Sequence, residues 1–151
     1  MTERRKKICV VTSCGGHLTE VRMHRQAYGK HDHFYVLNDR IGLPPDMEGR
    51  TYFITLFERD LNFFVNLWEA WRILRRERPD LILSTGAGIV VPFALWAKVL
   101  GIPVVFLETL NRVRKPSLTA RIMYRLADRF FYQWESLRTF FPRGECTGPI
   151  L

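Results

Sequence analysis

Apolar residues along this chain fall into short runs, each broken by glycine, proline or a polar residue. The run at residues 8–11 passes directly into Gly15-Gly16 and His17, which predicts a buried strand, a tight loop and the first turn of a helix. That helix is predicted over 18–28, with Arg22 and Arg25 on its outer face and Gly29 at its end. Further strands are predicted at 34–37, 52–56, 81–83, 103–107 and 129–132. Between them the pattern gives helices at 61–76, capped by Asp60, at 91–100, at 118–127 and, short, at 135–141. Pro92 stands in the first turn of its helix, where a missing N–H does no harm. Residues 38–47, with Gly42, Pro44 and Pro45, read as a loop.

Short apolar strands alternating with helices predict an α/β fold: a Rossmann-like, doubly wound parallel sheet covered on both faces. No repeat, linker or low-complexity segment divides the chain, so residues 1–151 are expected to form one domain. In such sheets the site lies outside the carboxyl ends of the strands. Three chemically suggestive features are predicted there: Gly15-Gly16-His17, Thr85-Gly86-Ala87-Gly88, and Glu108.

Each feature has a plain alternative. The paired glycines let bare backbone approach a ligand, and the helix start behind them suits a phosphate or another anion; a close-packed turn needs the same residues. His17, at a helix start beside bare backbone, is poorly placed for a core role. His24, His31 and His33 are expected to be solvated. Glu108 follows five apolar residues, where a carboxylate needs a partner or a purpose, and a salt bridge to Arg112 or Arg114 would supply the first. Arg112, Arg114 and Lys115 bring three cations close to it, as either a solvated loop or a phosphate clamp.

The helix at 61–76 carries more apolar surface than covering a sheet requires. At about 100° per residue, Leu61, Phe63, Phe64, Leu67, Trp68, Ala70, Trp71 and Leu74 cover roughly half its circumference. Asn62, Asn66, Glu69, Arg72 and Arg76 share the other side with Ile73. One part can face the sheet. The remainder, with Phe64, Trp68, Trp71 and Arg75, suits an anionic membrane interface, or else a thick core or a protein partner. The aromatic and basic stretch at 121–131 repeats the theme. Residues 81–107 carry a single charge, Lys98, but Gly86, Gly88, Pro92, Gly101 and Pro103 divide them into strand, loop, helix and strand. They do not make the ~20-residue uninterrupted helix that a membrane span needs.

Lysine and arginine outnumber aspartate and glutamate 23 to 15, a net charge of +8, which favours an anionic partner without choosing it. Cys9, Cys14 and Cys146 are odd in number and lack metal-ligand spacing, which points to a reducing compartment and no structural zinc. Cys9 alternates into the strand and is expected in the core. The amino terminus has no apolar segment ahead of a cleavage site, so no secretory signal is expected. Asp39 falls 24 residues after Gly15, near where a ribose-binding acid belongs, but GxGxxG is absent, and so is a P-loop. A free-standing nucleotide-cofactor oxidoreductase is therefore the weakest reading.

Four stretches, SCGGHLTE, LILSTGAGIVVP, VVFLETLNRVRKPSLTARIMYRLADRFFYQW and CTGPIL, together resemble a known family. It is the acceptor-side subunit of split GT-B glycosyltransferases, family 28-like: the PssD-like bacterial polysaccharide-biosynthesis proteins. These are related to the membrane-recruiting subunit of the eukaryotic dolichol-linked UDP-GlcNAc transferase. The resemblance implies the N-terminal half of a GT-B enzyme, with the UDP-sugar bound by a separate donor-binding chain. Thr147-Gly148-Pro149 lacks the asparagine of the Thr-Gly-Asn-Pro motif that leads into a donor domain in full-length relatives.

What is implied is an inverting, metal-independent hexosyl transfer, of a sugar such as glucuronosyl, galactosyl or GlcNAc, to a polyprenyl-diphosphate-linked acceptor. It would take place at the cytoplasmic face of the cell membrane, by a peripheral heterodimer, with no cofactor and no nucleic-acid partner. On this resemblance His17 is the candidate general base and Glu108 orients the acceptor sugar or takes that role itself. Gly15, Gly16, Thr85, Gly86 and Gly88 supply contacts to sugar or diphosphate, and Arg112 and Arg114 hold the diphosphate. The alternative within the family is a non-catalytic membrane anchor for a catalytic partner.

Overall fold

The computed structural model describes residues 4–40, 42–55 and 61–149. Strand β1 (Lys7–Val11) leads through a glycine turn into α1 (Gly16–Met23) and the single turn α2 (Arg25–Tyr28), and β2 (Asp32–Leu37) follows. After a 3-10 turn at Pro45–Met47 come β3 (Thr51–Phe53), α3 (Asn62–Glu77), β4 (Leu81–Ser84) and α4 (Val90–Leu100). The chain continues through β5 (Val104–Leu107), α5 (Leu118–Leu126), β6 (Arg129–Tyr132), a 3-10 turn at Glu135–Leu137, and β7 (Glu145–Cys146).

Every strand pairing is parallel, in the order β3-β2-β1-β4-β5-β6-β7. The strands advance one way from β1 to β3 and the other way from β4 to β7. The order therefore reverses between β1 and β4. Side-chain alternation along the strands sends successive residues to opposite faces. Cys9, Val11, Phe34, Val36, Ile82 and Phe106 join the core beneath α3, α4 and α5. Ile8, Val10, Tyr35 and Leu37 join the smaller core beneath α1 and α2. The predicted doubly wound α/β sheet is thus observed, and Cys9 lies in its core.

Some elements depart from expectation. The helix predicted over 18–28 breaks at His24 (φ −88°, ψ 9°), which turns Tyr28 into the core, its hydroxyl 3.3 Å from that of Tyr35. His33, expected to be solvated, is buried in β2 edge-on to both tyrosine rings. The helix predicted at 135–141 is only a 3-10 turn, tightened so that Phe141 enters the core. The edge strand β7 went unpredicted because its two residues carry no apolar run. Leu56, at the end of the predicted third strand, and Asp60, the predicted cap, lie outside the described residues.

On α3 the buried face differs from the sequence assignment in two residues. Asn66 and Ile73, placed on the polar side, are buried with Ala70 and Leu74, while Phe64, Trp68 and Trp71 are exposed, as the part of the apolar half that does not face the sheet. The reason is fit. Asn66 finds Thr55 O at 2.8 Å and Glu69 Oε2 at 3.0 Å, and the smaller apolar side chains sit close to the sheet.

The carboxyl end of α3 is fastened through Glu77, which pairs with Lys7 and accepts the Tyr52 hydroxyl. Hydrogen bonding to Lys7, then to Tyr52, holds the Glu77 carboxyl below the usual glutamate range. A depressed folded-state value contributes stability that is present above the unfolded value and lost as pH falls through the folded one. Thermal melts of Glu77→Gln are expected to lie below wild type at neutral pH. The gap is expected to close as pH drops below about 4.3, the ordinary glutamate value. A constant gap across that range would show that Glu77 acts by packing alone.

Candidate functional site

The carboxyl ends of β1, β4, β5 and β6 stand side by side, so the loops that follow them share one edge. At β1, Gly15 takes φ 84° and ψ −135°, a conformation open only to glycine, and swings the chain into α1. No side chain caps this helix, and a Cβ built on Gly16 would meet nothing within 4 Å. The helix start is bare backbone beside open space. A cavity of about 510 Å³ adjoins it, lined in part by Gly15, Leu18, Thr19 and Asp39. A cavity of about 400 Å³ bordered by Leu74, Pro79, Gly101 and Pro103 shares no residue with these loops.

His17 faces the loop after β4. Its Nδ1 lies 3.3 Å from Thr85 O, and Thr85 Oγ1 donates back to His17 O at 3.1 Å. A carbonyl can only accept, so Nδ1 is the donor, and in the neutral ring that leaves the lone pair on Nε2. The ring rests against Gly86: a Cβ there would stand 2.6 Å from His17 Cε1 and 2.7 Å from Nδ1. Gly86 itself is held by Ser84, whose hydroxyl donates to Gly86 O at 3.0 Å and accepts Gly86 N–H at 3.2 Å. Ala87 adopts φ 75°, a left-handed conformation that costs a non-glycine residue about 1 kcal/mol. Gly88 accepts Val91 N–H at 3.1 Å and opens α4. Gly15, Gly16, His17, Thr85, Gly86 and Gly88 are therefore brought together at the reversal of strand order, where ligands bind in sheets of this kind.

Glu108 is close by but differently employed. It is 1% exposed and accepts Ser117 N–H at 2.9 Å, the Ser117 hydroxyl at 3.0 Å and Thr109 N–H at 3.1 Å. The expected salt bridge to Arg112 or Arg114 gives way to these bonds, because Ser117 both binds the carboxylate and caps α5 through Ala120 N–H at 3.0 Å. Burial raises the Glu108 carboxyl above the usual range, opposed by its bonds to Ser117. Arg112 and Arg114 are exposed on the loop that Glu108 closes. Phe64, Trp68, Trp71 and Arg75 lie on exposed positions of α3.

Two participants escaped the sequence reading: Glu20, buried on α1, and Gln133, the polar residue after β6. The same signal that marks Glu108, a polar residue directly behind an apolar strand, marks Gln133. Among the described residues no group of histidine, cysteine, aspartate or glutamate could hold a metal ion, and no helix is long and apolar enough to cross a membrane.

Residues 49–150 match the family described as "Oligosaccharide biosynthesis protein Alg14 like". The chain belongs to this Alg14-like family. It is 32% identical over 92 residues to the human UDP-N-acetylglucosamine transferase subunit ALG14, a match covering 57% of this chain and 43% of that protein. A Methylococcus capsulatus protein is 38% identical over 80 residues, covering 53% of this chain and 22% of its own length. Its name is UDP-N-acetylglucosamine–N-acetylmuramyl-(pentapeptide) pyrophosphoryl-undecaprenol N-acetylglucosamine transferase. The chain thus spans less than half the length of these relatives. Among solved structures, Acinetobacter baumannii MurG superposes with a TM-score of 0.70 at 16% identity, over 87% of this chain and 42% of MurG. That likeness establishes the fold alone, a Rossmann-like α/β unit.

Proposed function

We propose that this chain is the acceptor-side subunit of a two-chain, inverting glycosyltransferase. A separate donor-binding chain holds a UDP-sugar, and the sugar passes to a polyprenyl-diphosphate-linked acceptor at a membrane surface, as in PssD-like polysaccharide biosynthesis. The names of the Alg14-like relatives put N-acetylglucosamine first among the candidate sugars, ahead of glucuronosyl and galactosyl groups. The observation that carries this reading is His17. With Nδ1–H donated to Thr85 O, its Nε2 is the free base at the open glycine edge. There it takes the proton of the acceptor hydroxyl as that oxygen attacks the anomeric carbon and UDP leaves. The bare start of α1 and the cations Arg112 and Arg114 suit the acceptor's diphosphate. Glu108 then serves by holding the loop that bears those cations.

The exposed aromatic row on α3 favours a second reading, a membrane anchor whose partner supplies all the chemistry. One experiment separates the two. Transfer from radiolabelled UDP-sugars to lipid-extractable material is measured in membranes containing this chain alone, the donor-binding chain alone, both, and both with His17→Ala. Label is expected only with both wild-type chains and is expected to be lost with His17→Ala. Equal transfer by the donor-binding chain alone would overturn the subunit reading. Full activity of His17→Ala would leave the anchor.

A further inference from the structure

Glu20 belongs to none of the loops at the site, yet it ties them together. It lies three residues beyond His17 on α1 and is 9% exposed. Its Oε1 accepts hydrogen bonds from Gln133 Nε2 at 2.6 Å and from Leu110 N–H at 2.8 Å. Gln133 Nε2 also donates to Glu108 O at 3.2 Å, and Trp134 Nε1 donates to Leu110 O at 2.7 Å. Both polar groups of the Leu110 backbone are thereby held, the N–H by α1 and the carbonyl by the segment after β6. Thr109 O takes Arg112 N–H at 3.1 Å, and Glu108 closes the loop onto Ser117. The backbone that carries Arg112 and Arg114 is thus fastened to the helix that carries His17.

Packing alone does not call for a carboxylate here. A helix covering a sheet buries apolar side chains, as α1 does with Leu18 and Val21. A buried carboxylate is unfavourable unless its oxygens are hydrogen-bonded. Among the described residues no cation forms an ion pair with Glu20. Its two bonds converge on one oxygen and join positions 90 and 113 residues away, so they form a long-range tie rather than a local cap. One side-chain oxygen that accepts both bonds suits a strut that must hold two loops in register.

We propose that Glu20, acting with Gln133, is a positioning residue: it fixes the 108–117 loop to α1 so that Arg112, Arg114 and His17 meet a diphosphate-bearing acceptor in one arrangement. This rests on the acceptor-side reading above. Glu20→Gln keeps an oxygen that can accept the same two bonds, whereas Glu20→Ala takes away the acceptor of Leu110 N–H and one of the acceptors of Gln133 Nε2.

The test has two readouts on the full-length chain. Amide-resolved hydrogen exchange is expected to quicken at Leu110 at least about tenfold in Glu20→Ala and to stay near wild type in Glu20→Gln, with α3 and α4 unchanged in both. Binding is then measured to phosphatidylcholine vesicles with and without undecaprenyl diphosphate. Wild type and Glu20→Gln are expected to bind the diphosphate vesicles more tightly, and Glu20→Ala to lose about tenfold of that preference. Unchanged exchange at Leu110 in Glu20→Ala would overturn the strut. Faster exchange with the preference intact would overturn the positioning role alone. A wild-type chain with no preference for the diphosphate would overturn the acceptor-side reading and this role with it.

Discussion

Gly86→Ala is expected to abolish glycosyl transfer about as thoroughly as His17→Ala, although residue 86 offers no chemical group to the reaction. The added methyl would stand 2.6 Å from His17 Cε1 and 2.7 Å from Nδ1, closer than a carbon can approach either atom. The ring must swing away, and the bond to Thr85 O that fixes the tautomer goes with it. The backbone cannot relieve the clash, because Gly86 sits at φ 133°, where an L side chain is strained, and Ser84 holds it on both its N–H and its carbonyl. In the role proposed for His17, a displaced general base forfeits its whole contribution, typically ~10²- to 10⁴-fold. Transfer by the proposed two-chain enzyme should therefore fall by that factor in both variants, while binding to the proposed donor-binding chain and to vesicles persists. Wild-type rates in Gly86→Ala would show that the ring position against this glycine is irrelevant to the reaction.

The same contact shows what the chain discloses before folding and what it withholds. Apolar runs and glycine breaks were enough to place His17, Thr85, Gly86 and Glu108 behind parallel strands, because side-chain period and turn chemistry are local. Strand order is not local. That β1 pairs with β4, bringing Thr85 to His17 across 68 positions of sequence and Gly86 under its ring, follows from the crossover after β3 and leaves no mark on either segment. Glu108 was marked by its position behind five apolar residues, but its partner was misread. Arg112 and Arg114 are the obvious charges nearby, whereas Ser117 wins by supplying both an N–H and a hydroxyl while capping α5. Glu20 was hidden because a carboxylate on a helix ordinarily faces water, and only Leu110 and Gln133, in the segments after β5 and β6, turn it inward. On α3, helical periodicity found too much apolar surface and set Phe64, Trp68 and Trp71 apart, but it put Asn66 on the polar side, and that residue turns inward only by reaching Thr55 O.

That choice leaves the aromatic half outside, and Phe64→Glu/Trp68→Glu is expected to release the chain from membranes without unfolding it. Phe64 is 66% exposed and Trp68 57%, with the Arg72 guanidinium 4.7 Å from the Trp68 ring centroid and Arg75 and Arg76 one turn on. Inserting two such side chains into a bilayer interface is worth about 1.5 to 3 kcal/mol each, and each arginine near an anionic surface adds about 1 kcal/mol. Removing both rings and adding two carboxylates should weaken binding to phosphatidylglycerol-containing vesicles by more than about a hundredfold. Arg75→Glu should act through charge, with a smaller loss that fades as salt rises. Tryptophan fluorescence reports the contact directly. Trp96 and Trp134 are partly buried with their indole N–H groups bonded to Leu67 O and Leu110 O, each at 2.7 Å, whereas Trp68 and Trp71 are exposed. A blue shift on adding vesicles must then come from α3, and it should vanish in the double variant. The substituted side chains lie outside the core, so the variant should keep its melting temperature. Undiminished vesicle binding at that temperature would move the membrane contact elsewhere. The exposed row of α3 would then be left to a protein partner, the reading the sequence held open beside it.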